Sequence, residues 1–225
     1  MIYTVTLNPA LDKTVQIPSF RLGEVNRISA MRTDPGGKGI NVSKVLRELG
    51  EPSVAAAILG GAAGQKIESA LRALGIEGMY LFTGHETRTN LKIVDPTLHT
   101  NTDVNEPGAP ADEAVLSKLL TQLTDRLRPG DLVVLSGKAP AGAPDTLYRD
   151  WILACRAAGA AVYLDTEGEL LRQGVTAGPA LIKPNQAELS GVMGRPLTTE
   201  DETIRAAQEL LAQGVGCVAV TMGAG

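Results

Sequence analysis

Short apolar strands alternate with helical segments along most of this 225-residue sequence. Residues 2–6, 54–59 and 132–135 are continuous runs of apolar and β-branched side chains, which are typical of strands covered on both faces. Apolar side chains at helical spacing follow the second and third runs. This alternation predicts an α/β fold with a mostly parallel sheet and helices on both faces. The length allows one ordinary α/β domain or two small ones, and we expect a single domain over residues 1–225.

Two segments, at about residues 14–31 and 89–104, lack helical periodicity and are rich in strand-forming side chains. We expect them to pair into a small extra sheet, with strands at residues 15–17, 25–31, 89–94 and 100–104. The other predicted elements are strands at residues 79–82, 162–165, 181–183 and 218–222, a flexible loop at residues 36–39, and a helix at about residues 144–158.

Polar side chains at three positions mark predicted helix starts. Asp112 precedes an apolar helical face, and its carboxylate can accept hydrogen bonds from the first N–H groups of that helix. Thr199 and Glu202 have the spacing of a capping box, for a helix that reaches about residue 213. Asn185 and Glu188 have the same spacing after a predicted strand.

The composition argues against several classes of protein. The formal charge of −4 provides no electrostatic footprint for nucleic acid or for an anionic membrane. Only two cysteines occur, Cys155 and Cys217, which excludes a disulfide scaffold and a cysteine-rich zinc module. Both lie in apolar stretches and are interpreted as small core residues. No uncharged apolar run reaches about 18 residues, so we predict no membrane-spanning helix and expect a cytoplasmic protein.

Ligands of parallel α/β sheets bind beyond the carboxyl ends of the strands, so polar groups at those ends are the candidate contacts. Asp12 follows the first strand, and its carboxylate suits the hydroxyls of a polyhydroxy ligand; the alternative is a turn-forming Asp. Residues 36–41 read Gly-Gly-Lys-Gly-Ile-Asn and open a helix. Gly37 permits close backbone approach, and Lys38 and the helix N-terminus favour an anion. The alternative is a plain junction between loop and helix.

Residues 87–92 alternate along a predicted strand, so that Arg88, Asn90 and Lys92 point to one face. Two cations and an amide on one face could hold a phosphate group. The alternative is a solvated strand face. Asp103 and Asn105 continue this polar pattern on the next predicted strand.

A second group of candidates follows the later strands. Residues 183–188 read Lys-Pro-Asn-Gln-Ala-Glu, in which the spacing from Asn185 to Glu188 is that of a helix start. The same amide and carboxylate could also orient hydrated Mg²⁺ near phosphates. Residues 221–225 end the final predicted strand with small side chains that could admit a nucleotide.

These motifs, in this order, resemble those of the ribokinase-type carbohydrate kinase family. The resemblance covers essentially the whole chain through residues 6–12, 36–42, 87–92, 136–137, 183–188 and 221–224. The branch that it resembles most is that of the 1-phosphofructokinases, with the tagatose-6-phosphate kinases next. Residues 87–92 and 103–108 favour the former. The resemblance implies a three-layer ribokinase-like fold whose small β lid, formed by the two strand-rich segments, excludes water from the reaction.

The resemblance implies transfer of the γ-phosphoryl group of ATP to a sugar phosphate, with Mg²⁺ as the cofactor and fructose 1-phosphate as the acceptor for this branch. The implied sugar-phosphate contacts are Asp12, Gly37, Lys38, Asn41, Arg88, Asn90, Lys92 and Gly137. The implied nucleotide contacts are Lys183, Asn185, Thr221 and Gly223, with Glu188 holding the metal indirectly through water. A homodimer formed through the lid is implied as well.

The sequence departs from the family pattern at two places. Family members have a small hydroxyl residue where this chain has Lys138, which changes a local contact to the sugar or phosphate. The general-base Asp of the family, with its glycine-rich anion hole, is expected beyond Gly225. We therefore expect the C-terminal part of the fold to be missing and no catalytic residue within this chain. Whether these 225 residues are active by themselves stays open at this point.

Other functions stay open at this point. Within the same family, the chain could be a tagatose-6-phosphate kinase or a 6-phosphofructokinase. A non-catalytic module that binds a sugar phosphate would also retain the contacts named above. A nucleotide-cofactor oxidoreductase is disfavoured, because no GxGxxG motif follows the first strand.

Overall fold

The computed structural model describes residues 1–110 and 112–223, and these residues form two sheets and seven helices. The strands are β1 (Ile2–Thr6), β2 (Ala10–Gln16), β3 (Ala30–Gly36), β4 (Ser53–Gly60), β5 (Glu77–Thr83), β6 (Thr89–Asp95), β7 (Thr100–Asn105), β8 (Leu132–Ser136), β9 (Ala161–Asp165) and β10 (Leu181–Ile182). The helices are α1 (Lys38–Glu48), α2 (Gly61–Ala73), α3 (Glu113–Arg126), α4 (Leu147–Ala157), α5 (Gly168–Val175), α6 (Gln186–Met193) and α7 (Glu200–Ala212).

The larger sheet has six parallel strands in the order β10-β9-β8-β1-β4-β5. Its two faces are packed differently, as β4 illustrates. Val54 and Ala56 join the core that contains α3 and α4, whereas Ala55, Ala57 and Leu59 join the core formed with α1 and α2. A strand buried on both faces needs apolar side chains at every position, which explains the unbroken apolar run. The predicted α/β class, with helices on both faces, is confirmed.

The second sheet has four strands in the order β3-β2-β6-β7 and is the small extra sheet that the sequence predicts. The strand predicted at residues 25–31 is wrong, because β3 runs from Ala30 to Gly36. Val25 and Ile28 are exposed outside it. Antiparallel pairing with β2 over seven residues defines β3, rather than its own apolar content. Gly36, predicted to lie in a flexible loop, therefore ends a strand, and α1 begins two residues later.

The three predicted helix starts are present. Asp112 accepts hydrogen bonds from the N–H groups of residues 114 and 115, and both capping boxes are complete. The helix expected at residues 144–158 is shorter, at Leu147–Ala157. Helix α5 was not predicted, because it has only eight residues, with glycines at positions 168 and 174. Among the described residues, no helix combines the length and apolar character needed to cross a membrane.

The last predicted strand, at residues 218–222, is not a regular strand. Val218 and Thr221 form isolated parallel bridges to Ile182 and Asn185. These bridges place residues 218–221 beside the short strand β10 at the edge of the sheet. Ala224 and Gly225, which belong to the small-residue motif, lie outside the described residues.

Candidate functional site

Helix α1 begins in close contact with the end of β1. The hydroxyl of Thr6 accepts a hydrogen bond of 2.9 Å from the N–H of Ile40. Gly37 precedes the helix with a φ of 117°, in the region that favours glycine. A Cβ at Gly39 would lie 2.5 Å from Thr6 Oγ1, so only glycine fits there. This close approach positions Lys38, the first residue of α1, at the carboxyl edge of the sheet.

Asp12 lies in β2 and not in a turn, so the alternative interpretation of this residue is wrong. The pairing of β2 with β6 sets Asp12 opposite Asn90, whose side-chain Nδ2 donates to Asp12 Oδ1 at 2.9 Å. On the other side, a Cβ at Gly36 would lie 2.0 Å from Asp12 Oδ2. The Asp12 carboxylate is therefore held between an amide donor and a glycine backbone.

Arg88 is half-buried just before β6 and is held by four protein acceptors. Its Nε donates to the carbonyl of Pro9 at 3.3 Å and its Nη2 to the carbonyl of Asn8 at 3.2 Å. Its Nη1 donates to the carbonyl of Glu106 at 3.1 Å and to Asn90 Oδ1 at 3.3 Å. These bonds use four of the five N–H donors of a guanidinium. Arg88 thus joins the end of β1 to the second sheet and keeps one N–H for a ligand.

The charge of Arg88 is opposed by burial and supported by neighbouring carboxylates. Burial, the largest effect, lowers the pKa of Arg88, whereas Asp12 and Glu106 raise it, and the net result lies below the ordinary value. A guanidinium remains charged at neutral pH even so. Arg88 therefore provides a fixed, partly desolvated positive charge beside the Asp12 carboxylate.

Two adjacent cavities open beside these residues. The arginine cavity, of about 470 Å³, is lined by residues that include Gly37, Lys38, Arg88, Ser136, Gly137 and Lys138. The aspartate cavity, of about 730 Å³, is lined by residues that include Asp12, Lys44, Lys92 and Asp103. Asn90 and Asn105 line both cavities. The geometry thus places all the predicted sugar-phosphate contacts except Asn41 around two adjacent cavities.

Two predicted contacts lie at the margins of this arrangement. Lys92 is half-exposed, and its ammonium lies 3.8 Å from Asp103 Oδ1. Asn41 is exposed on α1 and lines neither of the two cavities. It lines instead a lysine groove of about 430 Å³ that is also bounded by Lys38 and Lys183.

Asp165 connects the two groups of candidates and was missed from the sequence. It ends β9, and its Oδ1 lies 3.1 Å from the ammonium of Lys38. Its Oδ2 lies 3.6 Å from the ammonium of Lys183. An acidic residue at the carboxyl end of a predicted strand was the available signal, since strand ends carry ligand contacts in such sheets.

Gly137 forms a tight turn after β8 with a φ of 93°. Its N–H donates to the carbonyl of Asp165 at 2.9 Å, and its carbonyl accepts from Tyr148 Oη at 3.1 Å and from Thr166 Oγ1 at 3.0 Å. Burial raises the pKa of Tyr148, which keeps the phenol protonated as a donor. The adjacent Ser136 hydroxyl is buried and has no partner among the described residues. The turn is thus rigid and borders the arginine cavity.

The second group of candidates lies beside β10. Asn185 Oδ1 accepts from the N–H of Glu188, and Glu188 Oε2 accepts from the N–H of Asn185, both at 2.8 Å. The helix-start interpretation is therefore correct for this pair. Thr221 donates its N–H to the carbonyl of Pro184 at 3.0 Å, which brings it beside Asn185. Gly223 is exposed, with a φ of 75°.

The side chain at the unusual position, Lys138, lines the arginine cavity and pairs with a carboxylate that lies outside the lining of this cavity. Its ammonium lies 2.9 Å from Glu167 Oε1, and both side chains are largely exposed. Glu167 precedes helix α5 and lines an acidic groove of about 530 Å³ together with Asn185 and Glu188. The Lys138–Glu167 ion pair therefore lies on the border between the arginine cavity and this groove.

The described residues contain no cluster of three His, Cys, Asp or Glu side chains that could enclose a metal ion. Mg²⁺ at phosphate sites usually keeps several waters and needs only one or two protein carboxylates. Glu188 fits this requirement, because one of its carboxylate oxygens has no protein partner among the described residues. The donor set is thus compatible with hydrated Mg²⁺ and not with an all-protein metal cage.

Comparison with known proteins identifies similar sequences over the full chain. The sequence profile of the pfkB family carbohydrate kinases matches residues 5–225. The 1-phosphofructokinase of Rhodobacter capsulatus is 41% identical over 225 residues, which is 100% of this chain and 71% of that protein. The 1-phosphofructokinase of Bacillus subtilis is 36% identical over 222 residues, covering 99% of this chain and 72% of that protein.

Solved structures give the same result for the fold. Phosphofructokinase-2 from Escherichia coli, in complex with fructose-6-phosphate, superposes with a TM-score of 0.93 at 32% identity. The match covers 99% of this chain and 74% of that one. Another structure of the E. coli protein is described as its tetrameric inhibited form.

Proposed function

Since the chain belongs to the pfkB family of carbohydrate kinases, we propose that it phosphorylates fructose 1-phosphate with ATP, giving fructose 1,6-bisphosphate and ADP. Fructose 1-phosphate is the proposed acceptor because relatives at 41% and 36% identity are named 1-phosphofructokinase. The structural observation that carries the proposal is the hydrogen-bonded chain Asp12–Asn90–Arg88 beside Lys38. It combines an acceptor for sugar hydroxyls with cations for a phosphate.

Each sugar-phosphate contact has a distinct proposed role. Asp12 accepts hydrogen bonds from sugar hydroxyls, since its carboxylate is already oriented by Asn90. The remaining N–H of Arg88 and the ammonium of Lys92 contact the phosphate. Gly37 allows the ligand to approach the start of α1, where Lys38 and the helix N-terminus favour negative charge. Gly137 borders the same cavity, and Asn41 contacts the ligand from the lysine groove.

The nucleotide is proposed to bind beside β10. Lys183 contacts its phosphates, and Asn185, Thr221 and Gly223 surround it from adjacent segments. Glu188 holds Mg²⁺ through water, by the carboxylate oxygen that the capping box leaves free. When bound, the ion neutralises charge on the phosphates.

Phosphoryl transfer depends mainly on positioning and charge neutralisation, which is what these residues supply. The free primary hydroxyl oxygen of the sugar forms a bond to the γ-phosphorus, and the bond from that phosphorus to the ADP oxygen breaks. The hydroxyl proton passes to a general base, a role that we assign to none of the described residues. The second sheet serves as a lid that excludes water.

A coupled assay for ADP release tests this proposal, with fructose 1-phosphate, fructose 6-phosphate and tagatose 6-phosphate compared as acceptors. We expect fructose 1-phosphate to give the highest kcat/KM. Fructose 6-phosphate is the second candidate, because the E. coli structure at a TM-score of 0.93 contains that sugar. Release of ADP that is independent of any phosphorylated sugar contradicts the proposal. Sugar-phosphate binding without ADP release assigns the chain to the non-catalytic binding module instead.

We further propose a homodimer formed through the lid. Four large apolar side chains between β2 and the start of β3 are exposed, namely Leu22, Val25, Ile28 and Met31. Apolar side chains that cluster at the surface are typical of contact regions. Light scattering after size exclusion should give twice the mass of the chain, and Val25→Asp should give the monomer mass.

A further inference from the structure

We propose that the ammonium group of Lys138 binds the γ-phosphate of the nucleotide, an inference that rests on the proposed function. Lys138 follows the rigid turn at Gly137 and lines the arginine cavity, where the sugar phosphate is proposed to bind. Its partner Glu167 lines the acidic groove on the nucleotide side, with Asn185 and Glu188. The Lys138 side chain therefore spans from one binding region to the other.

The phosphoryl group in transit has to occupy this border. Its donor lies on the β10 side and its acceptor hydroxyl lies in the arginine cavity, and the attacking and leaving oxygens are roughly in line. A cation at the border therefore meets the γ-phosphate and does not meet the α- and β-phosphates. The base of the Lys138 side chain is fixed, because Tyr148 and Thr166 hold the preceding carbonyl.

The present partner of Lys138 is readily exchanged. The side chains of Lys138 and Glu167 are 73% and 48% exposed, and exposed ion pairs of this kind contribute little to stability. A γ-phosphate carries more negative charge than one carboxylate and offers more acceptor oxygens. Lys38 and Lys183, in contrast, share the single carboxylate of Asp165. Lys138 thus differs from Lys38 and Lys183, because neither of them pairs with its partner Glu167.

Calorimetric titration of the chain with ADP and with the non-hydrolysable imido analogue of ATP, with Mg²⁺ present, tests this inference. We expect Lys138→Met to weaken binding of the ATP analogue about tenfold and that of ADP by less than about twofold, because only the former has a γ-phosphate. Lys138→Arg, which retains the charge, should bind the analogue nearly as well as the wild-type chain. Lys118→Met is the matched control, since Lys118 is exposed on α3 and lines none of the cavities described above.

The outcomes separate the two proposals. Glu167→Gln frees Lys138 and should tighten binding of the analogue while leaving ADP unchanged. Equal weakening of both nucleotides by Lys138→Met, or no weakening of either, overturns the role of Lys138 while the kinase proposal stands. A wild-type chain that binds neither nucleotide overturns the kinase proposal, and the inference falls with it.

Discussion

The side-chain amide of Asn90 donates a hydrogen bond of 2.9 Å to Asp12 Oδ1, while its carbonyl oxygen accepts one of 3.3 Å from Arg88. One amide therefore orients both the carboxylate and the guanidinium of the proposed sugar-phosphate site. The two contacts also determine the orientation of the amide, because its nitrogen must face the Asp12 carboxylate and its oxygen the Arg88 guanidinium. Asn90 is thus a positioning residue as well as a lining residue of both cavities.

Asn90→Ala removes both hydrogen bonds and leaves Asp12 and Arg88 without a common partner. We expect the affinity for fructose 1-phosphate to fall by about tenfold, as for the loss of one hydrogen bond to a charged group. Calorimetric titration measures this change. Asn101→Ala is the matched control, because Asn101 is exposed on β7 and lines neither cavity. An equal loss of affinity in both variants would contradict the positioning role.

Three glycine-to-alanine variants should separate binding from stability. The three atoms nearest to a Cβ at Gly36 all belong to the Asp12 carboxylate, with Oδ2 at 2.0 Å, so Gly36→Ala should weaken sugar-phosphate binding more than it destabilises the fold. A Cβ at Gly39 meets the backbone carbonyl of Val5 at 2.5 Å, and overpacking of this kind costs about 1–3 kcal/mol of unfolding free energy. Gly191→Ala has open space in the interior of α6 and should stabilise by about 0.5–1 kcal/mol. Urea denaturation measures the unfolding free energies of Gly39→Ala and Gly191→Ala. A Gly39→Ala variant that is more stable than Gly191→Ala would contradict both expectations.

The segment that carries Arg88 is anchored to the end of β4 by Thr87. Thr87 Oγ1 accepts from the N–H of Gly60 at 2.8 Å, and its own N–H donates to the Gly60 carbonyl at 2.9 Å. Thr87→Val keeps the shape but leaves a buried N–H unpaired, so the unfolding free energy should fall by about 1–3 kcal/mol. Thr121→Val, at an exposed position of α3, should change it by less than about 0.5 kcal/mol. Equal effects of the two substitutions would show that Thr87 is not an anchor.

Asp95, at the end of β6, should make the second sheet sensitive to acid. Burial of its carboxylate, the largest effect, raises its pKa, but hydrogen bonds from the N–H groups of Leu98, Phe20, Thr97 and Ser19 together lower it below the ordinary value. The stabilisation is therefore present above the unfolded pKa of about 4 and is lost as the pH falls through the lowered folded value.

Amide hydrogen exchange measures this effect residue by residue. We expect protection in β2 and β6 to fall in acid before protection in β1 and β4 does. Asp95→Asn removes the titrating group. The protection of the second sheet, relative to the intrinsic exchange rate at each pH, should therefore change less with pH in that variant. Loss of protection in both sheets at the same pH would contradict a local role for Asp95.

Elements defined by local chemistry could be predicted from the sequence. The first strand, Ile2–Thr6, has the predicted bounds, and the helix that follows Asp112 starts where its cap requires. Elements defined by pairing could not be predicted in the same way. Strand β3 contains Arg32, Thr33 and Asp34, and its position follows from the hydrogen bonds to β2. The bridges of residues 218–221 likewise depend on their neighbours and not on their own apolar pattern.

The candidate site follows the same division. The spacing of residues 88, 90 and 92 correctly predicts one polar face, because alternation is a local property of a strand. The bonds from Arg88 to the carbonyls of Asn8, Pro9 and Glu106 depend on how the two sheets pack together, so no local sequence pattern predicts them. Asp165 was missed for a related reason, since its lysine partners lie 127 and 18 positions away along the chain.

The central claim is that Lys38, Arg88 and Asp12 form one site for a phosphorylated sugar. Calorimetric titration of the wild-type chain and of Lys38→Met, with fructose 1-phosphate and with fructose, tests it most directly. We predict that the wild-type chain binds fructose 1-phosphate at least tenfold more tightly than fructose, and that Lys38→Met loses most of this difference, as about 1.4 kcal/mol corresponds to each factor of ten. Equal affinity of the wild-type chain for the two sugars, or binding of neither, would contradict the claim.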